Sequence, residues 1–186
     1  MTLFKKSARA LMCALAVSSA LLAGCAGPQI SDYAAEKPAL DLRQYFTGTV
    51  DAYGIFTDRS GKVVKRFTVE MICSWTGAPG QEVGVLDEYF TSSDGTKDRR
   101  VWTLKRGFDG KYAGTAGDVL GVANGEVKGN AFRWGYTLLL PVDGKTIEVQ
   151  FDDWMYQMND KIMLNRAEMS KFGFKLGEVT LTFVKR

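Results

Sequence analysis

The side chains able to carry chemistry in this 186-residue sequence are 21 carboxylates, 24 lysines and arginines and three cysteines, with no histidine at all. A histidine general base, a Ser-His-Asp or Cys-His nucleophile system and any histidine-bearing zinc site are thereby excluded. Carboxylate and lysine chemistry stays formally open. The adjacent acids Asp87-Glu88 and Asp152-Asp153 fail as hydrolytic dyads on strands, because neighbouring strand residues face opposite sides. The glycines between Gly114 and Gly129 lack a phosphate-binding fingerprint opening onto a helix, and read as bends or a wide loop. Met155, Met158, Met163 and Met169 are better explained by core filling than by copper binding. The expectation is a protein that is not an enzyme and takes no cofactor or metal.

The cysteines report on location. Residues 1–24 have a basic start (Lys5, Lys6, Arg9) and an apolar stretch over 10–23, shorter than the roughly 20 residues a membrane span needs. They end in Leu22-Ala23-Gly24 before Cys25, a lipobox, so residues 1–24 are predicted to be a signal peptide cut before Cys25. This leader resembles those of bacterial lipoproteins, and the resemblance implies a diacylglyceryl group on the Cys25 thiol and an acyl chain on the new amino terminus. At about 0.8 kcal/mol per buried methylene, three chains anchor firmly. Ala26, in place of the aspartate associated with inner-membrane retention, implies the periplasmic face of the outer membrane.

Losing the leader removes Cys13 and acylation occupies Cys25, which leaves Cys73 alone and no possible intrachain disulfide. The formal charge of +3 comes wholly from Lys5, Lys6 and Arg9, so the mature chain is neutral and has no basic footprint for nucleic acid. Residues 25–41, with Pro28 and Pro38 and little periodicity, read as a lipidated tether. Residues 42–186 suit a single domain with one core.

That domain reads as strand after strand. Phe67, Val69, Met71, Cys73 and Trp75 alternate with Arg66, Thr68, Glu70 and Ser74, the pattern of a half-buried strand. Cys73 is therefore a small core residue before it is a reactive thiol. Phe132, Trp134, Tyr136, Leu138 and Leu140 repeat the alternation, as do Val179, Leu181 and Phe183. Turn pairs separate the runs: Ser60-Gly61, Asp94-Gly95, Asp109-Gly110, Asn124-Gly125, Asp143-Gly144 and Asn159-Asp160. No long amphipathic helix intervenes. The expected fold is all-β, an antiparallel up-and-down meander of about eight to ten strands closed into a lipocalin-like, calycin-type barrel. An open sheet or sandwich is the alternative.

Two-residue turns fix a trial register. Around Asn159-Asp160 the count sets Asp153 opposite Arg166 and Trp154 opposite Asn165, with Asp153 on the apolar face of Ile147, Val149, Phe151 and Met155. Around Asp94-Gly95 it sets Val85, Asp87 and Tyr89 on one face with Arg100, Trp102 and Leu104, so that Asp87 and Arg100 lie diagonally. Each hairpin then points a carboxylate and a guanidinium inward, where they must be paired. One reading makes these internal ion pairs that fix register, or lets a bulge at Asp152-Asp153 turn Asp153 outward. The other makes them the polar floor of a cavity walled by Trp102, Trp134 and Trp154, with Arg100 and Arg166 receiving an acidic head group.

The blocks Asp94-Gly95, Arg100-Val101-Trp102, Gly129-Asn130-Ala131, Phe151-Asp152-Asp153-Trp154-Met155, Asn165-Arg166-Ala167 and Ser170-Lys171-Phe172-Gly173 resemble a family of short lipoproteins from Gram-negative bacteria known only as a domain of unknown function. The likeness covers essentially the whole mature chain and implies a proteobacterial lipoprotein. The functional expectation is non-catalytic binding of a small hydrophobic or fatty-acid-like ligand in the barrel, at Asp87, Arg100, Trp102, Trp134, Asp153, Trp154 and Arg166. The alternative is a structural lipoprotein with a filled core that holds an envelope partner.

Overall fold

The computed structural model describes residues 27–186; the predicted signal peptide and Cys25 lie outside this range. Ten strands run in sequence: β1 (Gly48–Asp58), β2 (Val63–Thr76), β3 (Val83–Ser92), β4 (Lys97–Arg106), β5 (Tyr112–Thr115), β6 (Val119–Lys128), β7 (Ala131–Val142), β8 (Lys145–Gln157), β9 (Ile162–Lys171) and β10 (Phe174–Lys185). Each pairs antiparallel with its neighbours, and β1 pairs with β10, so the meander closes into a barrel without a free edge. The turn expected at Asp143-Gly144 is present, with Val142 opposite Lys145 and φ of 49° and 76° at the two turn residues. Asn124-Gly125 is no turn, since both residues lie inside β6, and of the glycines from Gly114 to Gly129 only Gly117 and Gly129 lie in turns, while Gly121, at φ 73°, sits at a shift in the β6–β7 register.

Up-and-down connectivity puts alternate hairpins at opposite ends. One end is plugged by the four-residue helix α1 (Leu42–Tyr45), whose Leu42 and Tyr45, with the following Phe46, are buried in the barrel. Asp41 caps α1 by accepting from the Gln44 N–H at 3.1 Å. Lys185 Nζ donates to the carbonyls of Gln44, Tyr45 and Thr47 at 3.0, 2.8 and 2.6 Å, which satisfies the acceptors a helix end leaves open. Tyr45 Oη lies within hydrogen-bonding distance of the Lys161 and Phe183 carbonyls, and the Trp75 indole donates to Phe46 O, so the plug is tied to the β8–β9 loop, β10 and β2.

The expected tether over 25–41 is only partly a tether. Residues Ile30–Tyr33 form a 3-10 turn that lies on the outside of the barrel near the plugged end. Tyr33 packs on Trp154 and Tyr156, with ring centroids 5.6 and 5.3 Å apart, and the Leu40 N–H donates to Gly129 O at 2.8 Å. A Cβ on Gly129 would collide with the Tyr33 carbonyl, so this docking requires glycine there.

Candidate functional site

The plugged half of the barrel is solid, with Val50, Met71, Phe132 and Met163 almost inaccessible. Cys73 belongs to it, and burial pushes its thiol up to about 12, which removes its reactivity. The other half is different. Phe67, Phe90 and Phe151 point inward yet stay only half-buried, because they border a cavity of about 190 Å³.

One wall of that cavity is an aromatic stack. The Trp102 and Trp134 rings lie 4.5 Å apart, each is 5.4 Å from Tyr136, and Tyr136 stacks on Phe151 at 5.2 Å and 12°. Glycines on β5 and β6 make room for the indoles. A Cβ on Gly114 would come within 2.9 Å of the Trp134 ring, and one on Gly125 within 2.6 Å of Trp134 Cβ.

Ionisable groups converge on the same space. Asp153 is 5% exposed and accepts from Tyr136 Oη at 3.3 Å and from the Asn165 amide; Asn165 also donates to Trp154 O at 3.0 Å. Burial raises the Asp153 carboxyl to about 6, partly offset by the donors Trp134, Asn165 and Tyr136. The Trp134 indole N–H sits close enough to favour the charged carboxylate, but completes no hydrogen bond and is buried without a partner. Glu88, opposite Arg100 in the ladder, lines the cavity, and burial pushes it up to about 7 against the pull of Arg100. Among the described residues Glu88 has no hydrogen-bond or ion-pair partner. Arg100 is held by Asp118 Oδ2, at 2.9 Å from Nε and 2.8 Å from the terminal nitrogen.

The expected site is therefore half right in membership. Arg100, Trp102, Trp134 and Asp153 line the cavity. Asp87 does not: it lies outside, paired with Arg99 at 2.7 Å. In the β3–β4 hairpin Thr91 pairs with Lys97 and residues 92–96 form the loop, with Gly95 at φ 86°. The register thus slips one residue from the two-residue count, which exchanges Asp87 for Glu88 on the inner face. Arg166 is likewise outside, bound to Glu178 at 2.8 Å. The β8–β9 loop is longer than assumed, so Gln157 pairs with Met163, Arg166 sits opposite Trp154, and Asp153 opposes Ala167. Trp154 also faces outward; it is 7% exposed because Tyr33 covers it, with the Arg133 guanidinium 4.7 Å from its ring centroid. Glu88, Tyr136 and Asn165 are the cavity's ionic and polar residues that the trial register missed, together with Asp118, which holds Arg100 from the β5–β6 turn.

A second hollow, of about 210 Å³, lies outside between the β4–β5 turn, β6 and the N-terminal segment. Its lining is mostly solvated charge, such as Asp41, Asp109 and Lys128. Of these two hollows among the described residues, the interior cavity is the one that combines an apolar aromatic wall with convergent polar groups. Among the described residues no cluster of acids and cysteines is arranged to hold a metal.

The described residues form a closed barrel with a solid base and an aromatic, partly ionisable upper cavity. The chain belongs to the family described as "Protein of unknown function (DUF3833)", whose model matches residues 19–185. No curated protein sequence matches it. Among solved structures it is similar to the S-type phycobiliprotein lyase CPES from Guillardia theta, with a TM-score of 0.61 at 8% identity over 86% of this chain and 98% of that one. At that identity the likeness is one of fold, and it supports the lipocalin-like barrel.

Proposed function

We propose that the protein is a lipid-anchored binding barrel, which takes a small apolar molecule, or the apolar end of a larger one, into its unplugged half without transforming it. The observation that carries this reading is the contrast in filling: the same barrel that excludes solvent around α1 leaves about 190 Å³ open against Trp102, Trp134, Tyr136 and Phe151. A cavity of about 150 Å³ in a protein interior already accepts a benzene-sized guest, so one ring or a short alkyl segment fits. A longer ligand would extend out of the mouth. Exclusion of histidine chemistry favours capture over catalysis.

The anchor is Cys25, and the location is the periplasmic face of the outer membrane, supported by the Leu22-Ala23-Gly24-Cys25 lipobox and by Ala26. Four residues lie between Cys25 and Ile30, and the five residue steps make a leash of at most about 17 Å. Because Ile30–Tyr33 docks beside the plugged end, that end is turned to the bilayer and the mouth away from it.

Native mass spectrometry of protein extracted from membranes without refolding tests both parts. The expected spectrum shows a chain starting at acylated Cys25 with a co-purifying small molecule. An unacylated chain refutes the anchor, and a guest-free protein that also takes up no added apolar probe refutes the binding role.

A further inference from the structure

The interior polar groups specify more than an apolar guest. The cavity holds two carboxylates that contribute no cation of their own, Glu88 and Asp153, while its one guanidinium, Arg100, is engaged by Asp118 from the β5–β6 turn. Arg166, the second cation expected from the sequence, is outside the barrel. An incoming carboxylate or phosphate would thus meet two acids and a single arginine that Asp118 already holds, in a site where desolvation strengthens every such interaction. A second observation lies beside the acids: the Trp134 indole N–H, near the Asp153 carboxylate, is buried in the cavity wall without completing a hydrogen bond, in a residue 5% exposed. Buried donors without partners are rare in finished protein cores and mark a place where a water or ligand completes the bonding.

The geometry points to a guest whose buried end is a hydrogen-bond donor, cationic or neutral, and not an anion: an ammonium or hydroxyl group on an apolar body, donating to Glu88 and Asp153, with a hydroxyl oxygen also able to accept from the Trp134 indole N–H. This rests on the binding role proposed above and names the ligand class of that same site. The groups around Glu88 are Arg100 with its partner Asp118, and in the cavity lining Asp153 and Tyr136, with Asp87 beside it on the outer face. Burial raises Glu88 to about 7 and Asp153 to about 6, so both carry charge above neutrality and lose it on mild acidification.

The test uses three probes with one ring and different heads: phenethylamine, phenethyl alcohol and phenylacetate. Each is titrated calorimetrically into the full-length protein in nanodiscs, with empty nanodiscs as blank. At pH 8 the amine is expected to bind at least tenfold more tightly than phenylacetate, with the alcohol between them. Lowering the pH to 5 is expected to weaken the amine severalfold and leave the alcohol nearly unchanged. Glu88→Gln is expected to reproduce the loss for the amine alone, and Asp153→Asn provides the same reading through a second acid. Phenylacetate binding as tightly as the amine, or an amine affinity indifferent to pH and to both substitutions, overturns the ligand class while the binding role stands. No uptake of any of the three overturns both.

Discussion

The two halves of this barrel are built from the same ten strands and end up with opposite properties. At the plugged end, α1 and Phe46 insert from the chain itself, their backbone ends are met by Lys185, and the inward residues exclude solvent. At the other end nothing from the described chain enters, and the inward positions are occupied by large aromatics that line space instead of filling it. Strand pairing alone therefore does not decide whether a barrel is a solid core or a container. What decides is whether some other segment supplies the side chains for the axis.

The contrast is sharpest in core truncations. Phe132→Ala in the solid half is expected to cost about 3–5 kcal/mol, since the transfer loss and a new cavity add together. Phe151→Ala, on a wall that is already open, is expected to cost less than half as much, and urea unfolding of the pair measures the difference. Equal losses would mean that the two halves are equally packed.

Charge in the open half is the next largest effect. A carboxyl whose folded pKa is raised favours folding fully only below its unfolded value of about 4.5, and that contribution is lost as pH rises through about 7. Glu88→Gln removes this loss. The variant is expected to gain stability over the native protein on the order of 2 kcal/mol at pH 8 and almost nothing at pH 4, read as the difference between two unfolding curves at each pH.

Gly125→Val tests how the wall is shaped. The added side chain meets Phe132 and Trp134, so a loss of about 1–3 kcal/mol is expected together with a shift in tryptophan fluorescence. The smallest effect is expected at Arg166→Met. Its exposed pair with Glu178 contributes little, so stability is expected to move by less than about 0.5 kcal/mol and ligand uptake not at all.

Much of this was legible in the sequence. Strict alternation in β2, β7 and β10 gave strands with one inner face, and parity with Val149 and Met155 placed Asp153 inside whatever the register. The Glu88–Arg100 juxtaposition was not legible, because the β3 and β4 faces are both apolar. Val85, Tyr89 and Val101 lie outside while Leu86, Phe90 and Trp102 lie inside, so hydrophobicity could not detect a one-residue slip in the hairpin loop. Trp154 was misplaced for a different reason: Tyr33, which buries it from outside, comes from an aperiodic segment more than a hundred residues away. Local patterns carry no signal for such a contact.

The central claim is that the unplugged half is a receptacle. Calorimetric titration of phenethyl alcohol into the native protein and into Ala167→Phe, which places a ring in the cavity from β9, tests it most directly. The expected result is saturable binding by the native protein and none by the variant, with both folded by circular dichroism. Equal binding by both, or binding by neither, would contradict the account.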